Sequence, residues 1–427
     1  MSTGYCEDDT CETLPVLGFD AGEQWGADAG GSGTSSDMGR GSCTTYLCED
    51  ARPARGRPFL ADPPAPDVAD PVEHPLFASL PGETDPKLGT DTVPPASWSS
   101  SLSSRWRSLR DAITGAEPGA SIDLAGGAGR STSRRILDVE LDHAGTVYVL
   151  HTHPRRSPIR RVEAYDSSGR LVGQVDREGD AGQGLRVPRA MALLDDSRLA
   201  VVQQYGDVAV FSRTEDGFVL DAGRPVNLPA SDICGEQGRI YVTQRRSPRA
   251  IHELESGPRR QGRSFGSVYE HGSGLARNAL SEGILACLED PARVVFGFRA
   301  IPRLDAYEAG SGERIWTAGV TDYTQGVFVE QVRPRHGITS PVNYPRERLA
   351  RLLPVSPEFL VAVYTRSHTE PEAGVETRTY LLHSATGQGA MISDTLSIIG
   401  AIRDDTYVTV GGATGAMIQF RYMRPGG

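Results

Sequence analysis

Two linked stretches, Ile136–Thr152 (ILDVELDHAGTVYVLHT) and Ile159–Asp176 (IRRVEAYDSSGRLVGQVD), decide how this chain is read. Apolar and polar residues alternate through both, and each breaks at an Asp-x-x-Gly step, Asp142–Gly145 and Asp166–Gly169. Alternation with period two is the mark of a strand with one buried face. Asp turns the chain by hydrogen-bonding nearby backbone, and Gly by tolerating positive φ. Together they predict four short antiparallel strands joined by tight turns.

The unit recurs. RAMALLDDSRLAVVQQ and DVAVFSRTEDGFVLD form a second copy; SDICGEQGRIYVTQ, RAIHELE and FGSVYE a third. EGILACLEDPARVVFGF with RLDAYEAGSGERIWTAG is a fourth, and RLARLLPVSPEFLVAVYT with ETRTYLLHSATGQGAMIS a fifth. IIGAIRDDTYVTV and AMIQFRYMR make a sixth. First strands begin near Ile136, Arg189, Ser231, Glu282, Arg348 and Ile398, at intervals of about 53, 42, 51, 66 and 50 residues. A single four-stranded sheet cannot bury both faces, so units of this size stack around an axis. The expected fold is all-β: a six-bladed β-propeller of four-stranded antiparallel blades over residues 116–427. The sixth unit shows three strands, and ASIDLAGG at 120–127 is expected to supply its outermost fourth, joining the two ends of the ring.

The phrases LDVELDHAGTVYVL, VEAYDSSGRLVGQV, REGDAGQGLRVPRAMALLDDSRLAVV and LDAYEAGSGERIW resemble bacterial six-bladed propellers of the NHL-repeat and TolB-like type. The resemblance covers about residues 120–427 and implies fold more than function, because such propellers host enzymes and scaffolds alike. Its relatives are often exported or lipid-anchored. The start MSTGYCEDDTCETLP shows no secretory signal, so the compartment stays open. No apolar run reaches membrane-spanning length.

Residues 1–115 read differently. GADAGGSGTSSDMGRGS, ADPPAPDVADPVEHP and SWSSSLSSRW are too polar and too rich in Gly and Pro to offset ordering entropy. The segment is expected to be a disordered acidic tail, with a short helix around SSRWRSLRDAIT, where Trp106, Leu109 and Ile113 fall near helical spacing. Cys6-x4-Cys11 and Cys43-x4-Cys48 lie here, compatible with zinc, with local disulfides or with neither. Cys234 and Cys287 fall in strand-like segments and are expected to be small reduced core residues.

The net charge of -11 sits in the tail: residues 1–100 hold 17 Asp/Glu against 5 Lys/Arg, leaving 38 acids and 39 bases. A balanced body argues against nucleic acid as partner. Lys87 is the only lysine; every other base is Arg.

Both HTHPRRSPIRR and QRRSPR join a second strand to a third, and all such connections share one propeller face. Arg155, Arg156, Arg160, Arg161, Arg245, Arg246, Arg249 and Arg366 would make that rim basic. Guanidinium groups favour carboxylates through paired, charge-assisted hydrogen bonds. The expected partner is a protein, an anionic glycan or peptide, or the chain's own acidic tail; solvated loops in an arginine-biased protein are the plainer alternative. His151 and His153 flank Thr152 and could act as an acid/base pair or metal ligands, but two His alone make an incomplete site. The leading reading is a non-enzymatic, monomeric binding module without cofactor. The alternative is a propeller lyase or hydrolase with a histidine in its site, recognisable by a deep channel with polar groups converging from several blades.

Overall fold

The computed structural model describes residues 4–7, 10–13, 72–75 and 87–423, apart from 125–134, 153–159, 176–184, 186, 204–206, 215–216, 226–229, 237, 245–246, 255–260, 271–273, 322–326, 333–338, 345–346, 368–374, 401–405 and 412–416. The chain divides into two compact units, residues 1–72 with 331–342, and residues 73–330 with 343–427. In the first, Gly4–Glu7 pairs antiparallel with Thr10–Thr13, placing Cys6 opposite Cys11. Strand pairing therefore occurs in a stretch whose composition predicts disorder. The second unit is built almost entirely of strands.

Sheet A runs Arg135–Leu141, Val147–Thr152, Arg160–Tyr165, Leu171–Val175 in neighbouring order. Its turns form as their sequence requires. The Gly145 amide donates to Asp142 O at 3.1 Å, with Gly145 at φ 78°, and the Gly169 amide to Asp166 O at 2.8 Å, with Gly169 at φ 83°. The same meander follows in sheet B (Pro188–Asp195, Arg198–Gln203, Asp207–Thr214, Gly217–Pro225) and sheet C (Ala230–Glu236, Arg239–Gln244, Ile251–Leu254, Gln261–Phe265). Sheet D comprises Gly283–Leu288, Arg293–Phe298, Arg303–Glu308 and Arg314–Val320; sheet E comprises Glu347–Ser356, Phe359–Ser367, Val375–His383 and Gly389–Ser393. The long interval before sheet E contains two further strands, Val327–Val332 and Thr339–Tyr344.

Sheet F mixes the two ends of this unit. Thr406–Gly411 pairs with Met417–Tyr422, which pairs with Glu117–Asp123. Ile122 lies opposite Ile418, so the segment expected to close the last sheet does so. Its innermost strand is reduced to a bridge between Ile398 and Thr409.

Period-two alternation puts an apolar cluster between each sheet and the next. Tyr148 and Leu150 face Val201 and Phe211 of sheet B, while Val147 and Val149 face Ile399, Ile418 and Phe420 of sheet F. Val202 meets Val242 between B and C, and Tyr241 meets Phe296 between C and D. Leu304 and Trp316 meet Leu360 and Leu382 between D and E; Val361 and Leu381 meet Tyr407 between E and F. Each fully buried large side chain contributes roughly 1.5–3 kcal/mol. Sheets stacked face to face, with the last against the first, are the blades of a β-propeller.

The tail boundary at 115 needs correction. Helix Ser100–Thr114 starts at Ser99, whose hydroxyl accepts from the Leu102 amide, and ends at Gly115. Trp106 and Ile113 are fully buried against sheets E and F, and Trp106 Nε1 donates to Leu381 O at 3.0 Å. Lys87–Gly89 is a strand inserted between sheets D and E. The helix forms where Trp106, Leu109 and Ile113 fall at helical spacing, whereas Leu88 stands alone in a polar segment with no pattern to mark it. Cys234 and Cys287 are likewise not free thiols: they form a disulfide between the first strands of sheets C and D.

Candidate functional site

The inner strands bring charge to the centre of the sheets. Asp138 of sheet A, Asp232 of C and Arg351 of E line a cavity of about 50 Å³, with Glu140, Arg189 and Arg299. That volume admits a water or two. Each of the first three side chains is tied to the following sheet. Asp138 Oδ2 accepts from the Met191 amide at 2.9 Å, and Asp232 Oδ2 from the Leu285 amide at 2.6 Å. Arg351 donates from Nε to Ile399 O at 3.0 Å and from Nη2 to Leu137 O at 2.9 Å. Arg299 faces Glu282 at 3.5 Å.

Burial pushes the Asp232 carboxyl up to about 7, and the negative charge of Asp138 adds to the effect. Asp138 is also raised by burial, against the opposing pull of Arg351 and the Met191 amide. Of these residues only Glu282, and Asp232 beside Ser231, fall at the strand starts expected from the repeat; Asp138, Arg299 and Arg351 belong to no motif that the sequence analysis singles out. A charged residue within the first few positions of the first strand in the first, third and fifth repeats is the available signal.

His151 is 1% exposed, inside sheet A and off the rim. Its Nε2 lies 2.7 Å from Glu163 Oε2, which also accepts from Tyr165 OH at 2.6 Å. The carboxylate missing from the sequence reading is supplied across the strand pair. Sheet D repeats the arrangement: Asp305, fully buried, accepts from Arg303 Nε at 3.0 Å and Thr317 Oγ1 at 2.7 Å, with Tyr307 OH at 3.3 Å. Recurrence of Arg-x-acid-x-Tyr at 161–165 and 303–307 marks a buried polar tie within a sheet, although His151 Nδ1 has no hydrogen-bond partner among the described residues.

On the expected rim, Arg249 is exposed, Arg161 Nη1 lies 3.5 Å from Glu163, and Arg366 Nη1 lies 3.6 Å from Glu376. His153, Arg155, Arg156, Arg245 and Arg246, and the side chain of Arg160, lie outside the described residues. The flanking strand ends are paired as expected, Thr152 with Arg160 and Ser367 with Val375. Among the described residues, no group of three His, Cys, Asp or Glu is placed to hold a metal, and no helix is long and apolar enough to cross a membrane.

No protein-family model matches the sequence, and no curated protein matches it either. Among solved structures, the chain is similar to the RRP9 WD40 repeats at 9% identity and TM-score 0.45, over 72% of this chain and 100% of that one. A chain of the mitotic checkpoint complex aligns at 13% identity and TM-score 0.41, over 72% and 96%. The Cps50 (Swd1) β-propeller domain of Myceliophteria thermophila aligns at 9% and 0.40, over 70% and 99%.

Proposed function

We propose that sheets A to F are six blades of a non-enzymatic binding module, and that its rim of second-to-third-strand loops takes an acidic protein segment or an anionic glycan. The observation that carries this reading is the filled centre: about 50 Å³, with its charged groups held by neighbouring backbone. A substrate needs several hundred Å³. A cavity of about 480 Å³ lies away from the centre, between Arg293, Glu308 and Arg314 of sheet D. In this reading recognition falls to the loops, where Arg155, Arg156, Arg245, Arg246 and Arg249 supply guanidinium groups suited to carboxylates. The Asp-x-x-Gly turns in sheet A support placing the chain with the NHL-repeat or TolB-like propellers.

The test is binding of a labelled poly-glutamate peptide at low salt. Replacing Arg156, Arg246 and Arg249 by Glu is expected to weaken binding by on the order of tenfold or more, since buried or rim charges of the wrong sign repel. Equal affinity for both proteins would refute the reading. If the acidic tail competes for the rim, removing residues 1–86 raises affinity.

A further inference from the structure

Lys87–Gly89 lies parallel between the outermost strands of sheets D and E: Gly319 pairs with Lys87, Val320 and Gly389 with Leu88, Ala390 with Gly89. It turns two separate meanders into one nine-stranded sheet. Leu88 is fully buried among Trp316, Ala318, Val320 and Leu382, and its carbonyl accepts from the Thr321 amide at 3.2 Å and hydroxyl at 2.9 Å. Main-chain pairing with one anchoring side chain is how a sheet edge binds an extended peptide. Beyond it, residues 91–93 are exposed and lead to Trp98, whose Nε1 donates to Gln388 at 2.9 Å.

We propose that this slot is a peptide-binding site, filled in cis by Lys87–Gly89 and open to an extended segment of a partner protein carrying Leu at the place of Leu88. Three residues and one leucine give a shallow hold. What keeps it filled is the short tether to the helix at Ser100, which sets an effective concentration on the order of millimolar. A partner strand with more pairs outcompetes it. A Cβ at Gly89 would lie 3.8 Å from the Gly389 carbonyl, an ordinary contact, so the position after Leu does not require glycine.

Lys87 being the only lysine makes the slot self-reporting: a lysine-specific protease cuts this chain at that strand alone, at a rate set by the population of its open form. The probe is a synthetic peptide of residues 83–92 bearing Lys87→Arg, which the protease spares. It is expected to speed cleavage of the intact chain severalfold, and the same peptide with Leu88→Asp to leave the rate unchanged. In parallel, full-length Leu88→Asp protein, checked by its melting transition, is expected to bind the labelled peptide severalfold more tightly than wild type does. Equal rates with both peptides, uninhibited cleavage without peptide, or exchange of the strand between two copies without peptide binding would each overturn the proposal.

Discussion

Asp232 is a carboxyl held in the interior. It is 8% exposed, and its carboxyl is raised from the ordinary 3.8 to about 7. A raised folded-state value favours the protonated form on folding. The stabilisation is full below about pH 3.8 and is lost as pH climbs through about 7. Asp232→Asn keeps an acceptor for the Leu285 amide and removes the ionisation. Urea midpoints between pH 4.5 and 8 are expected to fall for wild type and to fall less for the variant, Asp138 supplying the residue of the slope. Trp106 is the opposite case, an apolar anchor with its one polar atom satisfied at Leu381 O. Trp106→Ala is expected to cost roughly 3–5 kcal/mol in chemical denaturation. A cost below about 1 kcal/mol would show the helix to be an appendage.

At the scale of strands, the repeat interval organises the contacts. Asp138 reaches Met191, Asp232 reaches Leu285 and Cys234 bonds Cys287, each across 53 residues. Closing a loop of that length removes roughly 4 kcal/mol of unfolded-state entropy. Cys234→Ala with Cys287→Ala is expected to lower the melting temperature, and reductant to leave that variant's melt unmoved. Strand starts were legible to about one residue: Arg135, Pro188, Ala230, Gly283 and Glu347 against Ile136, Arg189, Ser231, Glu282 and Arg348. Turn chemistry and alternation are local, so they can be read locally. The Cys234–Cys287 bond and the His151–Glu163 pair were not legible, because each depends on which residue lies beside which across a strand pair or a sheet boundary. Leu88 was hidden for another reason, a single buried side chain within a polar segment.

For the molecule as a whole, closure is a single seam in sheet F. Removing residues 1–86 spares that seam, whereas removing residues 1–123 deletes the strand beside Met417–Tyr422 and bares Phe420 and Ile418. The shorter truncation is expected to melt in one transition near the full chain, and the longer to melt earlier and broadly, or to aggregate. Calorimetry distinguishes them. Comparable melts would mean that the neighbouring sheets hold without the seam.

The pairing of Ile122 with Ile418 also bears on how the protein is made. At about 5–20 residues per second, a ribosome needs about 15–60 s to travel from one partner to the other. Throughout that interval the emerging chain is an open arc with sticky flanks, unable to latch. Chains released early have no clasp to shut, which makes premature termination near the carboxyl end far more harmful than its small loss of length suggests.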